Sequence, residues 1–118
     1  MTKFRLTLVT ENQKSLEKGK KFAELICGTL HCKNVYEISK YEKFKNSYRI
    51  EIIGQVADKK NLVAESIELT DRICSPWIVT YERQKNCVEL IFNKSDLCNF
   101  RKAEFNVLTW ANFRLENE

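Results

Sequence analysis

The stretch that decides the fold runs from Ser47 to Phe92 and reads SYRIEIIGQVADKKNLVAESIELTDRICSPWIVTYERQKNCVELIF. In its first part, Ser47 to Val56, the apolar residues Tyr48, Ile50 and Ile52 alternate with charged ones. Because side chains point to opposite faces of a strand in turn, this period of two predicts a strand with one buried face.

After this strand the apolar residues recur every three to four positions, which predicts a helix. Asp58 is the expected N-cap, and Pro76 is expected to end the helix because the residue before a proline avoids the α conformation. Residues 77–81 and 87–92 are rich in β-branched and aromatic side chains. They predict two antiparallel strands joined by the loop Arg83 to Asn86.

The N-terminal part repeats the pattern of strand followed by helix. Lys3 to Thr10 alternates like a strand, and residues 13–27 have helical periodicity. Asn12 or Ser15 is the expected N-cap, and Gly28 is expected to take the left-handed conformation that ends many helices.

Residues 34–41 predict a further strand, which gives the order strand, helix, strand, strand, helix, strand. This order predicts an α+β, ferredoxin-like βαββαβ fold with an antiparallel sheet and two helices on one face. Ser95 to Phe100 is expected to form a turn of helix. Ala103 to Leu115 fits a strand better than a helix, and it is expected to be a C-terminal β extension of the sheet.

Length and composition predict one domain spanning residues 1–118. The chain has no apolar run of about 20 residues and its N-terminus is unlike a signal peptide, so we expect a cytoplasmic protein that is not in a membrane. Five cysteines without a C-x-x-C pair favour a reducing compartment. They are Cys27, Cys32, Cys74, Cys87 and Cys98.

The sequence contains no motif for catalysis, for a cofactor or for a metal. His31 is the only histidine and adjoins Cys32, with Cys27 four residues before it, but this spacing does not supply a complete zinc site. The paired carboxylates, glycine-rich loops and nucleophile motifs of the common enzyme classes are missing. We therefore expect a binding protein rather than an enzyme.

Two groups of residues are candidates for binding a partner. An acidic helix face and the predicted hairpin are candidates for contact with a protein, since complementary charge speeds and orients association; they comprise Glu65, Glu68, Asp71, Glu82, Arg83, Lys85 and Glu89. A basic, aromatic segment is a candidate for binding single-stranded nucleic acid, because its rings can stack on bases and its cations can pair with phosphates. Lysine-rich loops also occur where they prevent exposed strand edges from pairing with other chains. The residues of this segment are Lys40, Tyr41, Lys43, Phe44 and Lys45.

The length, the Lys/Asn/Glu-rich surface and the aromatic segments Trp77 to Tyr81 and Phe105 to Phe113 resemble those of bacterial immunity proteins encoded beside contact-dependent or polymorphic toxins. The resemblance implies an inhibitor that binds a cognate toxin and blocks its active site. The net charge of +4 departs from the acidic balance expected of a protein that masks a basic nuclease.

Three hypotheses follow from the sequence. The first is the toxin-binding inhibitor, and the second is a nucleic-acid-binding ferredoxin-like module. The third is a small-ligand regulatory domain that oligomerises through its sheet. The sequence does not determine the oligomeric state.

Overall fold

The computed structural model describes residues 2–56 and 61–117 as an α+β protein with a six-stranded antiparallel sheet. The sheet order is β2-β3-β1-β8-β6-β5, and a second sheet pairs β4 with β7. The strands are β1 (Thr2–Thr10), β2 (Tyr36–Lys40), β3 (Tyr48–Val56), β4 (Cys74–Ser75), β5 (Ile78–Glu82), β6 (Cys87–Asn93), β7 (Asn99–Phe100) and β8 (Leu108–Asn117). The helices are α1 (Leu16–Thr29), α2 (Leu62–Asp71) and a 3₁₀ helix, Ala103–Val107.

The buried face of the sheet is formed by the alternate residues that the sequence predicts. Leu6 pairs with Ile52 on one side and with Phe113 on the other, and all three are fully buried. Phe113 also stacks on Phe4, with ring centroids 5.4 Å apart. Since both helices pack on this face, one core holds the two layers together. Within the described residues, the opposite face of the sheet carries no helix.

The position of the C-terminal strand differs from the expectation. β8 is not an extension at the edge of the sheet, because it lies between β1 and β6 in the middle. The hairpin of β5 and β6 lies at the edge of the sheet. The first strand of the large sheet after α2 is therefore β5, which is not a neighbour of β1. With eight strands in this order, the expected βαββαβ topology is not confirmed, whereas the α+β class and the antiparallel sheet are.

Several local expectations are also corrected. α2 ends at Asp71, before the proline that was expected to end it, and the chain then forms β4 and a cis Ser75–Pro76 bond. Asn61 caps α2 through its side-chain oxygen, which accepts from the Ala64 amide at 3.1 Å. The expected cap, Asp58, lies outside the described residues. The expected helical turn near Phe100 is instead the short strand β7, which pairs with β4. Residues 103–107, predicted as strand, form the 3₁₀ helix that precedes β8.

The end of α1 shows why one prediction was wrong. Ser15 caps the helix as expected, and its hydroxyl accepts from the Lys18 amide. Gly28, however, lies inside the helix, and the left-handed residue is His31 with φ of 57°. The Cys32 amide closes the end by donating to the Cys27 carbonyl oxygen at 3.0 Å.

The position of Gly28 gives a test with a definite sign. A Cβ at Gly28 meets nothing within 4 Å, so Gly28→Ala replaces a poor helix former by a good one in open space. We expect the free energy of unfolding to rise by about 0.5–1 kcal/mol, measured by urea denaturation. A left-handed Gly28 would give the opposite sign, because alanine is strained there.

Gly54 provides the comparison for Gly28, because it lies in β3 opposite Phe4, where there is no space for a side chain. A Cβ there would come within 2.4 Å of the Phe4 ring, which is buried in the core. Gly54→Ala is therefore expected to lower the free energy of unfolding by about 1–3 kcal/mol in the same assay. An unchanged stability would contradict this packing.

Candidate functional site

The residues predicted to bind a protein lie in three places. On α2, Glu68 forms an ion pair with Arg72, and Asp71 forms one with Arg101 at 2.6 Å. The outer face of α2 therefore carries arginine charge beside its carboxylates, and Glu65 lies half-buried in the first turn.

The remaining predicted residues are divided between the hairpin tip and the open face of the sheet. Glu82, Arg83 and Lys85 are exposed at the tip, where the Lys85 ammonium lies 3.7 Å from the Glu82 carboxylate. Glu89 lies on the helix-free face, opposite Arg114 of β8. The structure thus groups the three tip residues with β5 and separates them from Glu89.

β5 is an exposed apolar edge. All five of its residues are exposed, and it pairs with β6 on one side as the last strand of the sheet. Ile78 is 67% exposed on the helix-free face, and Val79 and Tyr81 are 41% and 45% exposed on the other. Such an edge presents backbone donors and acceptors, with apolar side chains on both faces, to another extended chain.

The opposite edge of the sheet is protected. On β2, the apolar residues Tyr36 and Ile38 are half-buried, and the exposed positions are Glu37, Ser39 and Lys40. Polar and charged side chains at an edge disfavour pairing with another strand. The two edges therefore differ in chemistry, and β5 is the one suited to a partner strand.

The basic, aromatic segment forms a closed loop after β2. The Tyr41 amide donates to the Ser47 carbonyl oxygen at 2.8 Å, and the Phe44 amide donates to the Tyr41 carbonyl oxygen at 3.3 Å. The Tyr41 and Phe44 rings lie 5.9 Å apart, and the Lys43 ammonium lies 5.7 Å from the centre of the Phe44 ring. Of the predicted residues, Tyr41, Lys43 and Phe44 are thus brought together, whereas Lys40 ends β2 and Lys45 is exposed on the loop.

This loop forms one wall of a cavity of about 410 Å³ on the helix-free face. The other walls come from β1, β3 and β8, and the lining residues are Val9, Tyr41, Phe44, Arg49, Thr109 and Trp110. We call this site the aromatic pocket. It combines three aromatic rings with a guanidinium group.

A β-bulge shapes the far wall of the aromatic pocket. Val9 pairs with Trp110, but Thr10 pairs with Leu108, so Thr109 is an extra residue on β8. Its hydroxyl donates to the Val9 carbonyl oxygen at 2.9 Å and fixes the bulge. Bulges of this kind change the direction of neighbouring side chains and are frequent beside functional sites.

Sequence reasoning missed Trp110 as a site residue. A signal was available, because Trp110 shares the outward face of its strand with Asn112 and Arg114. An aromatic residue on the polar face of an amphipathic strand does not pack into the core, so it is a candidate for binding a ligand. Its place in the same pocket as Phe44 depends on the sheet order, which periodicity does not reveal.

The centre of the helix-free face carries arginines paired with carboxylates. Arg5 and Arg114 lie directly opposite one another on β1 and β8. Arg5 lies 3.3 Å from Glu51, and Arg114 donates to Glu116. Opposing like charges on adjacent strands are unfavourable alone, and these carboxylates offset the repulsion.

The five cysteines are free. Cys27 and Cys32 lie close together at the end of α1, Cys74 lies near Cys98, and Cys87 is near Glu116 instead. Burial, with the nearby Cys32, raises the pKa of Cys27 to about 12. Burial likewise raises the pKa of Cys74 to about 12, with a contribution from Cys98. Thiols with raised pKa values are poor nucleophiles at neutral pH.

His31 and Cys32 line a separate depression of about 540 Å³ with Ile53. Within residues 2–56 and 61–117, no three His, Cys, Asp or Glu side chains are grouped so that they could hold a metal ion. No helix in the same residues is long and apolar enough to cross a membrane.

The chain matches no protein-family model, no curated protein and no solved structure.

The buried thiols make stability fall at alkaline pH. Each thiol ionises near pH 9 when unfolded but keeps its proton to about pH 12 when folded, so the folded state binds more protons in between. The free energy of unfolding should fall as pH rises across this window, by about 1.4 kcal/mol per pH unit for each thiol.

Urea denaturation of the reduced protein from pH 8 upward measures this slope. Cys74→Ala should make the slope shallower by the contribution of one thiol. Equal slopes for Cys74→Ala and the parent chain would contradict the assignment.

Proposed function

We propose that the chain is a protein-binding inhibitor, of the immunity-protein type, that neutralises a cognate bacterial toxin by blocking its active site. The observation that carries the protein-binding part is the apolar edge β5, with Ile78, Val79 and Tyr81 exposed. The proposal that the partner is a toxin rests on the resemblance of the sequence to bacterial immunity proteins. The protein acts by binding, without a cofactor, and in the cytoplasm.

The proposed mode of binding is strand addition. An extended segment of the partner pairs with β5 through the backbone, and its alternate side chains contact the two faces of the edge. Main-chain hydrogen bonds supply affinity in this mode, and the side chains beside the edge supply specificity. Because β5 is apolar on both faces, the segment it fits is one rich in β-branched or aromatic residues.

The charged hairpin tip gives the complex its register. Glu82, Arg83 and Lys85 lie at one end of β5, so charges of the partner align the added strand. α2 packs against β6, the neighbour of β5, and this places its Glu68 and Asp71 on the helix-covered side of the sheet. These predicted residues then form the rim of the interface, where charge affects association rate more than affinity.

A partner strand suits this edge better than a second copy of the chain. In the symmetric antiparallel pairing that uses all five residues of β5, Thr80 faces its own copy and Glu82 faces Ile78. A carboxylate would then lie beside an exposed isoleucine twice. A partner strand can place a cation opposite Glu82 and an apolar residue opposite Ile78.

We also propose that the scaffold is a ferredoxin-like fold with an inserted hairpin. The order β2-β3-β1-β8, with α1 after β1 and α2 after β3, supports this proposal. In that description β8 takes the place of the last strand, and the β5–β6 hairpin is the addition. The insertion is what supplies the proposed binding edge.

The strand-addition mode predicts a selective effect of one lysine. Val79→Lys places a charge on the edge, as natural edge strands do, and should weaken the complex at least tenfold. Val35→Lys is the matched control, because Val35 is 55% exposed next to β2, the edge strand at the opposite side of the sheet. Both variants should keep the stability of the parent chain, since both positions are exposed.

The partner for this test is the protein encoded by the neighbouring reading frame. Its expression alone should arrest bacterial growth, and co-expression of the parent chain or Val35→Lys should restore growth, whereas Val79→Lys should not. Titration of the purified proteins gives the corresponding affinities. A neighbour that is not toxic, or equal protection by Val79→Lys, would overturn the proposal. Dimerisation of the chain through β5 in sedimentation experiments would overturn the choice of occupant.

A further inference from the structure

The aromatic pocket lies far from β5, at the other side of the sheet, and the proposed toxin binding does not use it. We propose that it is a binding site for an unpaired nucleotide, with the base among the rings and the phosphate against the cations. The ligand is either a free mononucleotide or one unit of a single-stranded nucleic acid.

The size and lining of the pocket fit a nucleobase. Its volume of about 410 Å³ lies within the range of small-ligand sites. Phe44 is 57% exposed, so a flat ligand can reach a ring face that is already in place. Tyr41 and Trp110 add two further rings, and stacking on aromatic side chains is how proteins hold unpaired bases.

The charges around the pocket select the class of ligand. Three aromatic rings alone would also suit a quaternary ammonium group. Here, however, Arg49 is part of the lining and the Lys43 ammonium lies over Phe44. From Lys40 to Arg49 the chain carries four cationic side chains and one carboxylate. A cationic ligand is therefore disfavoured, and an anionic, planar one is favoured.

Arg49 is held in place without being fully neutralised. Its guanidinium lies 3.4 Å from the Glu51 carboxylate, which Arg5 also approaches at 3.3 Å. One carboxylate thus serves two arginines, and a side-chain exposure of 48% leaves Arg49 accessible to a phosphate. A guanidinium can pair with a phosphate through two parallel hydrogen bonds.

The pocket is also preorganised, which favours affinity. Backbone hydrogen bonds close the loop that carries Phe44, and the Gln13 amide anchors this loop by donating to the Asn46 carbonyl oxygen at 3.0 Å. The Thr109 hydroxyl fixes the opposite wall. Neither wall therefore has to fold when a ligand enters.

Arginines at the centre of the helix-free face can be reached by a single strand bound in the pocket but not by a free mononucleotide. Val9 and Arg5 lie four residues apart on β1, about 13 Å along the sheet. A strand that leaves the pocket along β1 and β8 reaches Arg5 and Arg114 with its next phosphates. A mononucleotide does not reach them.

The first measurement is the indole N–H signal of Trp110 in NMR spectra of the isotope-labelled full chain. Addition of AMP or UMP at millimolar concentration, or of a single-stranded oligonucleotide of about twelve nucleotides, should shift this signal. The other tryptophan, Trp77, donates its indole N–H to the Cys74 carbonyl oxygen and should not respond. The variant Trp77→Phe assigns the two signals. No shift of the Trp110 signal with any of these probes would overturn the proposal.

The second measurement is affinity, from the anisotropy of the labelled oligonucleotide. Phe44→Ala should weaken binding by roughly 5- to 150-fold, the range for loss of one stacked base. Tyr81→Ala removes an aromatic residue of similar exposure at the β5 edge and should have no effect. If two phosphates are bound, raising salt from about 50 to 200 mM should weaken binding about sevenfold.

The variant Arg114→Gln separates the two sources of nucleotide, because Arg114 pairs with Glu116 and its removal leaves the Glu51 carboxylate shared by Arg5 and Arg49. A loss of affinity for the oligonucleotide, with AMP binding unchanged, identifies a single strand; equal affinity for AMP and the oligonucleotide identifies a free mononucleotide. Tighter binding of duplex than of single strand, or a Phe44→Ala variant that binds like the parent chain, would overturn the proposal. Val79→Lys should leave nucleotide binding unchanged, so this outcome is independent of toxin binding.

Discussion

The pairing of the two terminal strands, β1 and β8, is the constraint on which the rest of the structure depends. Their register runs almost the full length of both strands, and the Phe4–Phe113 stack lies within it. Because β1 has β3 on its other side, the two termini of the chain occupy the centre of the sheet. Every other element is placed relative to this pair, including both proposed binding sites.

The two sites are consequences of this arrangement, one at the β5 edge and the other over the middle strands on the helix-free face. With β8 beside β1, the hairpin is pushed outward and β5 becomes an edge with exposed apolar residues. The bulge in the same β1–β8 pairing lies at Thr109, which lines the aromatic pocket together with Trp110 and Phe44. The position of β8 between β1 and β6 therefore underlies both the edge proposed to bind an extended protein segment and the pocket proposed to bind a planar anion.

The α+β class was predictable because periodicity reports burial residue by residue. Alternation correctly gave the buried faces of β1 and β3, since each strand has a helix layer on one side only. Capping rules offered Asn12 or Ser15, of which Ser15 is the N-cap, but they failed at Gly28, where the helix continues to Thr29 and His31 takes the left-handed conformation. Glycine permits that conformation but does not require it, so its presence did not fix the helix end.

By itself, the sequence determined the α+β class, the alternation of β1 and β3, the presence of α1 and α2 and the basic, aromatic character of the loop after β2, because each of these depends on neighbours in the chain. It did not determine the helix ends, the short strand β7 or the 3₁₀ helix. Only the tertiary structure decided that β8 lies inside the sheet, that β5 is an exposed edge and that Trp110 lines one pocket with Phe44 and Arg49. Strand order is set by contacts between residues as far apart as Thr2 and Asn117. A local pattern is the same whichever strand becomes the neighbour, so it contains no information on these contacts.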